Sequence, residues 1–524
     1  MVDDELRVIG EVELRAGGEP VELAPQLAKA LAVLAAARPG HGVPRADLVD
    51  ALWPSAPDTD RLWPVMSKLR LVLRRVGLTV TSGRGQAAYK LEPLPGPDGV
   101  EPASILDISA VAGLVDRAER LLDDARPAEA ARVLADAATR WRGEPFTVGD
   151  DWPLPRTCRL AVERLDVQQR RAARLWVRAG LLTGDFAALD WIDQDKALAA
   201  VLDGDREVWL LRFLSELAAG GAPDAEALLE ERRPQWGYED PTVVRAALLI
   251  ELGEHGALPV APPAPPAPAP GPHRAALEVF VASVRSREAG LLSVVGPTGP
   301  ARLAAVDELV ALAAQAGVWV VREVCDAADD LAPGRQLMRD LWAAALTDPR
   351  FPPDTDRALL TNLVASPRPS GSIRPAQPNR LVDAAAGVVS ALARSRPVLI
   401  VIDDAHRMSP LAVELTEQIR SRLSGAAVGF CVAGAESGPF AERAADTVLT
   451  IAGRPGTRAP AVGDWLAVAA VTADDLRIDP VAVAAVLGVP ADRADAGLAS
   501  AVRSGAVVAG VGRERFGTRV SGPA

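Results

Sequence analysis

The spacing of apolar residues changes along the chain and predicts several regions of different structure. Residues 6–23 form short extended runs broken at residues 16–18, which predicts a small antiparallel sheet. Three segments with helical spacing follow, from about Pro25, over 44–52 and over 61–76. Alternation returns over residues 79–91 around a glycine-rich turn. Sheet, three helices and hairpin, in that order, predict a winged helix-turn-helix domain (α+β) over residues 1–95.

The next region has helical spacing throughout. Residues 104–256 contain several short amphipathic segments joined by tight turns, which predicts an all-α domain of paired helices like tetratricopeptide repeats. The strict consensus of that repeat is absent, so the prediction rests on the apolar pattern. Residues 257–273 are rich in proline and alanine and predict a semi-rigid linker.

Strands and helices alternate in the last third of the chain. Continuous apolar runs at 291–295, 318–324, 398–403 and 428–434 predict buried parallel strands, separated by helices. This pattern predicts an α/β domain of the P-loop NTPase type over residues 274–455. Residues 456–524 predict a small helical, winged-helix-like subdomain that ends in a hairpin. The fold class is therefore multidomain.

The predicted helix 61–76 carries the candidate DNA-binding residues. Leu71 lies on the side opposite the helix's apolar stripe, which consists of Leu62, Val65, Met66, Leu69, Val72, Leu73 and Val76. The side chains expected to face DNA are Trp63, Ser67, Lys68, Arg70, Arg74 and Arg75, with Arg84 at the tip of the hairpin. Arginine can pair with guanine through two hydrogen bonds, and serine can bind a base or a phosphate.

Charge supports this interpretation locally. The formal net charge of −12 argues against general coating of nucleic acid. From Arg61 to Lys90, however, the chain has seven basic residues and no Asp or Glu, so positive charge is concentrated in one small region. The alternative interpretation is a solvated basic helix face, which is what most runs of charge are.

Four segments resemble a known family: residues 8–25, RADLVDALWP at 45–54, VMSKLRLVLRRVG at 65–77 and AAYKL at 87–91. They are similar to the Streptomyces antibiotic regulatory protein family, whose first domain is an OmpR-type winged helix. WRGEPF at 141–146 and the helices after it resemble that family's bacterial transcriptional activation domain.

The resemblance, over about residues 1–255, implies a pathway-specific activator of secondary metabolism such as antibiotic biosynthesis. It implies binding to direct repeats in promoter DNA as a homodimer or higher oligomer, and contact with RNA polymerase through residues 53–60. Lys68 stands where the family usually has arginine, and Leu71 where a basic residue is common. The operator sequence therefore does not carry over.

The loop after residues 291–295 corresponds to a phosphate-binding loop with substitutions. Gly296 keeps the position of the first glycine and Gly299 lies within the loop, but Ala301 stands for the final glycine, Arg302 for the lysine and Leu303 for the magnesium-binding hydroxyl. Downstream, VLIVIDDAHRM matches a Walker B strand that carries Asp403 and Asp404. The region resembles the signal-transduction ATPases with numerous domains. Because the substitutions fall on the groups that bind phosphate and metal, we expect a pseudo-ATPase that is not an enzyme, with at most weak ATP or ADP binding.

Other features of the sequence limit where the protein is expected to lie in the cell and which sites it is expected to contain. No stretch of eighteen residues is apolar and free of charge, so we expect no membrane span. The acidic amino terminus and three dispersed cysteines favour the cytoplasm, and no residue spacing predicts a metal site.

Three functional hypotheses remain open on the sequence. The first is a DNA-binding transcriptional activator whose α/β domain is a scaffold, an inhibitor or a partner sensor. The second is an ATP-dependent switch in which nucleotide controls oligomerisation and DNA binding. The third is an interaction scaffold whose winged helix no longer reads DNA.

Overall fold

A computed structural model describes most of the chain as two compact units, Met1–Glu216 and Leu217–Ala524. The described residues are 4–37, 41–54, 60–82, 88–96, 99–149, 152–219, 222–254, 270–288, 290–296, 300–325, 332–351, 378–408, 410–435, 445–451, 508–510 and 515–517. Most of the predicted subdomain 456–524 lies outside these residues, as do Arg84 and Gly299.

The first unit begins with two small sheets and the helices between them. Its first elements are β1 (Glu5–Arg7), β2 (Glu13–Ala16), β3 (Glu19–Val21), α1 (Pro25–Ala36), β4 (Val43–Pro44), α2 (Arg45–Leu52), α3 (Leu62–Leu73), β5 (Leu78–Ser82) and β6 (Ala88–Pro93). Strands β1, β2 and β3 form an antiparallel sheet. A second antiparallel sheet has the order β4-β6-β5. The elements follow one another in the order that the apolar pattern predicts.

The end of α3 shows how local sequence shapes this part. A 3-10 turn over Arg74–Val76 follows the helix, and Gly77 ends it with a φ of 70°. A side chain is unfavourable at this φ, so glycine allows the chain to reverse into β5. The predicted single helix 61–76 is therefore an α-helix that tightens in its last turn.

Helices form the rest of the first unit. They are α4 (Pro102–Ile105), α5 (Asp107–Asp123), α6 (Pro127–Ala138), α7 (Arg156–Thr183), α8 (Ala187–Gln194), α9 (Lys196–Leu202) and α10 (Arg206–Ala219). Their apolar faces are buried and include Val111 and Val115 of α5, Leu134 of α6 and Val177 of α7. The unit ends within α10.

Buried Asp107, at the start of α5, joins these helices to the first sheet. Its carboxylate accepts hydrogen bonds from the backbone amides of Val8 at 2.9 Å and Ile9 at 3.0 Å. Arg142 lies 3.0 Å from the same carboxylate. Burial raises the pKa of Asp107, while the two amides and Arg142 act in the opposite direction.

Residues 146–164 make further contacts with the amino-terminal elements. The backbone of Thr147 bonds to Gly10 and Val12, each at 3.0 Å, as an added strand would. The indole of Trp152 donates to the carbonyl of Ala51 in α2, and Arg164 donates to the carbonyl of Ala36 in α1. The first compact unit therefore spans the predicted junction near residue 100 and ends before the predicted boundary at 256.

The second unit contains an α/β layer structure. Its elements are α11 (Ala222–Trp236), α12 (Pro241–Glu254), α13 (Arg274–Arg285), β7 (Leu291–Val295), α14 (Pro300–Gln315), β8 (Trp319–Val324), α15 (Ala332–Leu346), α16 (Pro378–Ser395), β9 (Val398–Asp403), α17 (Pro410–Arg422), β10 (Val428–Gly434), β11 (Thr447–Thr450), β12 (Val508–Gly510) and β13 (Arg515–Gly517). Strands β12 and β13 pair in antiparallel orientation.

Five parallel strands form the central sheet, in the order β11-β7-β10-β9-β8. The residues of β9 are buried along its whole length, as expected for a parallel strand covered on both faces. Helices α13 and α14 contribute Leu277, Phe280, Val306 and Leu309 to one core beside this sheet. The predicted α/β domain is thus present, with strands close to their predicted positions.

Helix α12 belongs to this second unit through buried Arg245. Its guanidinium donates to the carbonyls of Leu346, Asp348 and Phe351 at 2.8 to 2.9 Å, just where α15 ends. Carbonyls at a helix end lack partners within the helix, so a cation is stabilising there. Beyond the proline-rich segment, the amide of Gly271 donates to Glu308 of α14. Both described flanks of that segment therefore lie on one unit.

No helix among the described residues has the length and hydropathy needed to cross a membrane. The three cysteines are buried and free of disulfides.

We predict that Asp107→Ala loosens the amino-terminal sheet, because the amides of Val8 and Ile9 lose a buried acceptor. A cost of about 2 kcal/mol corresponds to roughly thirty-fold faster exchange of these two amides, which directly follow β1. Hydrogen-exchange mass spectrometry of peptides that cover Val8 and Ile9 measures the change. The matched control is Asp123→Ala, an exposed position at the other end of α5. Equal exchange in the two variants would show that Asp107 does not hold the sheet.

A second prediction concerns Glu323 of β8. Burial and, to a lesser degree, nearby Asp340 raise the pKa of this side chain to about 8. The folded state binds this proton more tightly than the unfolded state. Protonated Glu323 therefore contributes its full stability to the fold below pH 4.5, the ordinary pKa of a glutamate in the unfolded chain. This contribution is lost as the pH rises through about 8. Glu323→Gln should become more stable than the wild type as pH increases from 5 to 9.

Calorimetry of the full chain across this pH range tests the sign. Glu288→Gln, at an exposed position after α13, is the control and should follow the wild type. A Glu323→Gln variant that loses stability relative to the wild type at high pH would contradict the prediction.

Candidate nucleic-acid interface and phosphate-loop site

Helix α3 packs into the first unit by one side only. Leu62, Met66, Leu69 and Leu73 are fully buried, at a spacing that places them along one face. The predicted apolar stripe also contains Val65 and Val72, which are only partly buried. These four buried side chains therefore hold α3 in place and leave the opposite side at the surface.

The opposite side is exposed and cationic. Its exposed members are Trp63, Pro64, Lys68 and Leu71, followed by Arg74 and Arg75 in the 3-10 turn. Positions 64, 68 and 71 follow helical spacing, so their side chains align. No carboxylate within the described part of the chain forms an ion pair with Lys68, Arg74 or Arg75. These residues form what we call the α3 basic face: Trp63, Pro64, Lys68, Leu71, Arg74 and Arg75.

Two predicted DNA-binding residues have different surroundings. Arg70 is half-buried, and its Nε donates to the carbonyl of Val80 at 2.7 Å. Val80 lies in β5, an edge strand of the second sheet. Arg70 therefore holds α3 against the hairpin, and only the rest of its guanidinium is available for a ligand. Ser67 is also half-buried.

The hairpin beside α3 is described in its strands but not at its tip. Val80 pairs with Leu91, and Thr81 with Lys90. Lys90 forms an ion pair with Glu92 on the same strand, which reduces its positive charge towards a ligand. Arg84 lies outside the described residues, as does most of the loop 53–60 that the family resemblance assigns to RNA polymerase.

In the second unit, the phosphate-loop positions lie at the carboxyl end of β7. Gly296 follows this strand, and α14 begins at Pro300. A Cβ atom on Gly296 would lie 2.8 Å from the Cβ of Ile451, so only glycine fits this approach between neighbouring chains. The amide of Gly296 donates to the carbonyl of Gly434 at 3.1 Å.

Arg302, at the position of the P-loop lysine, is buried and directed at the Walker B residues. It donates to Asp404, forming an ion pair, and its guanidinium lies 3.8 Å from Asp403. A weaker contact of 3.4 Å joins it to the carbonyl of Gly296. Arg302 therefore links Gly296, Asp403 and Asp404, four of the residues named in the sequence analysis when Arg302 itself is included.

Arg322 of β8 binds the second oxygen of Asp403. The distance is 2.8 Å, and the same guanidinium bonds to Asp307 of α14 at 2.6 Å. Burial alone lowers the pKa of Arg322, but its bonds to Asp403 and Asp307 outweigh that effect and raise it. The sequence analysis did not identify Arg322, although a basic residue within an apolar strand was a visible signal.

His406 also lies beside this cluster. Its Nδ1 is 3.9 Å from Asp404, and burial lowers its pKa, which favours the neutral ring. Nearby Asp404 acts in the opposite direction. Neutral His406 therefore adds little charge to a site that already contains two arginines and two aspartates.

This donor set does not fit Mg²⁺ with a nucleoside triphosphate. Magnesium requires oxygen ligands in octahedral geometry, and Leu303 supplies no oxygen where a hydroxyl is needed. Asp403 and Asp404 already form ion pairs with guanidinium groups, so arginine rather than a metal ion neutralises these carboxylates. The described residues contain no group of three His, Cys, Asp or Glu side chains able to hold a metal ion.

Comparison with known proteins supports the fold of the second unit. Residues 271–432 match the family model described as an AAA ATPase domain. Together with the parallel sheet, this match confirms the prediction of a P-loop-like α/β domain. No relative is found among the curated proteins.

Among solved structures, the chain is similar to EmbR of Mycobacterium tuberculosis, determined in complex with a low affinity phosphopeptide. The two are 17% identical over 49% of this chain and 72% of that one, with a TM-score of 0.35. A likeness of this size carries no argument about function.

Proposed function

We propose that this protein is a sequence-specific regulator of transcription that binds duplex DNA through the α3 basic face. The observation that carries the proposal is the combination of two features in one helix. Four apolar side chains fix α3 in the first unit, and the opposite side exposes Lys68, Arg74 and Arg75 without a described carboxylate partner. A helix held in this way can enter a major groove, and its cations can meet phosphates.

The neighbouring elements support a winged helix-turn-helix interpretation. Helix α2 precedes α3, and the β5–β6 hairpin follows it. The bond from Arg70 to Val80 holds helix and hairpin at a fixed distance. A helix in the major groove would place such a hairpin near the adjacent phosphates or minor groove, which is the role proposed for Arg84.

Further details of the proposal come from the family resemblance. We propose a pathway-specific activator, for instance of secondary metabolism, that binds direct repeats in promoters as a homodimer or higher oligomer. Contact with RNA polymerase is assigned to residues 53–60. Residues 104–256 would serve as the activation domain, with an arrangement like tetratricopeptide repeats.

For the second unit we propose a regulatory module without ATP hydrolysis. The ion pairs of Arg302 and Arg322 with Asp403 and Asp404 support this view. The match to the AAA ATPase domain model favours a second candidate, an ATP-dependent switch that controls oligomerisation and DNA binding. Hydrolysis assays separate the two.

The DNA-binding proposal predicts the effect of removing cations from the α3 basic face. Lys68→Ala with Arg75→Ala should weaken binding to promoter DNA about ten-fold or more. Each lost phosphate contact should also reduce the slope of log affinity against log salt by about one unit. Fluorescence anisotropy with the full chain, at several salt concentrations, measures both quantities.

Arg117→Ala is the matched control, because Arg117 is an exposed arginine of α5, outside α3 and the hairpin. Its affinity and salt slope should equal those of the wild type. An unchanged salt slope in the double variant would instead support a scaffold that no longer binds DNA.

The second prediction concerns ATP. The wild-type chain should show no Mg²⁺-dependent phosphate release above that of Asp404→Asn, because the site lacks a hydroxyl ligand and its carboxylates bind arginine. A phosphate-release assay with and without Mg²⁺ measures this. Turnover that needs Mg²⁺ and disappears in Asp404→Asn would favour the switch instead.

A further inference from the structure

Leu71 is an exposed leucine in the middle of a cationic surface. Its side chain is 63% exposed, on the side of α3 opposite the buried Leu69 and Leu73. Lys68 lies three positions before it and Arg75 four positions after it, so both are its neighbours on the helix surface. A leucine in water is unfavourable relative to a polar residue, and no described residue covers it.

The surroundings of Leu71 argue against a protein partner at this position. Apolar docking surfaces are contiguous patches, usually of several side chains. The other large apolar side chain exposed on α3 is Trp63, eight positions earlier. At about 1.5 Å per residue this separation is roughly 12 Å along the helix, with cationic Lys68 between the two. Leu71 is therefore an isolated apolar group among positive charges.

The major groove of DNA presents an apolar group in an anionic setting. Phosphates line both sides of the groove, and the C5-methyl group of thymine projects from its floor. Lys68 and Arg75 can bind the phosphates or the base edges, and Leu71 can make an apolar contact with the methyl group. Arg70, the basic residue next to Leu71 in sequence, donates to the carbonyl of Val80 and holds α3 in its orientation.

We propose that Leu71 is a specificity-determining residue that recognises a thymine by contacting the C5-methyl group of that base. This inference rests on the proposed DNA binding. Leu71 lies about 4.5 Å further along the helix axis than Lys68. At about 3.4 Å per base pair, the thymine lies one or two base pairs from the position that Lys68 contacts. The contact is apolar, so it contributes to sequence preference without adding to the salt dependence.

The test removes the methyl group from DNA and the side chain from the protein. Selection from random duplexes with the full chain gives the preferred site, and each thymine in it is then replaced by deoxyuridine. At one position, the wild type should bind the deoxyuridine duplex about three- to five-fold more weakly, as expected for burial of one methyl group. Leu71→Ala should bind both duplexes equally, with the affinity that the wild type has for deoxyuridine.

Two control variants make the result specific. Lys68→Ala should weaken binding of thymine and deoxyuridine duplexes by the same factor, which preserves their ratio. Leu160→Ala removes another exposed leucine, in α7, and should leave both affinities unchanged. Since Leu71 is exposed, Leu71→Ala should melt at the wild-type temperature, so any effect on DNA is not one of folding.

The outcomes separate this inference from the proposed function. Binding to a selected site with no thymine effect, or a thymine effect that persists in Leu71→Ala, overturns the role of Leu71 and leaves the DNA-binding proposal standing. Failure to select any site or to bind duplex DNA overturns both. A methyl effect that vanishes in Leu71→Ala, and in neither control, supports the inference.

Discussion

The buried carboxylate of Asp107 links the two ends of the amino-terminal half of the first unit, residues 8–9 and residue 142. It accepts from the backbone amides of Val8 and Ile9 and has Arg142 beside it, so one side chain joins the amino-terminal sheet to the helices that follow. A buried charge is stable only when it is paired and hydrogen-bonded, which restricts the relative positions of these elements. The contacts from Trp152 and Arg164 to the ends of α2 and α1 add to the same restriction. The surface of α3 is thus presented by a single compact unit.

Arginines illustrate how one residue type takes opposite roles in this protein. Arg245 is buried at the end of α15, where it binds backbone carbonyls. Arg302 and Arg322 are directed at the Walker B aspartates and provide positive charge inside the second unit. Arg74 and Arg75, in contrast, are exposed at the end of α3. Internal pairing removes the charge from solution, whereas exposed guanidinium groups remain available for an anionic partner.

The spacing of apolar residues predicted single strands and helices well, because that spacing is set within each element. The buried strand 398–403 is a continuous apolar run, and its predicted bounds equal those of β9. The periodicity of residues 61–76 predicted which side of α3 is buried, since that side is set by helical geometry. Patterns of this kind do not report contacts between distant residues. Nothing in the neighbourhood of Arg70 indicates that its Nε meets the carbonyl of Val80.

The sequence by itself determined the order of elements, the cationic segment from Arg61 to Lys90 and the substitutions at Arg302 and Leu303, because each is a property of residue type and spacing. The tertiary structure decided which arginines are bonded within the protein: Arg70 to the backbone of β5, Arg302 to Asp404, and Arg322 to Asp403. It also decided that the first unit ends within α10 and that α12 joins the second. These outcomes depend on contacts between different elements of structure, and only the folded backbone brings such elements together.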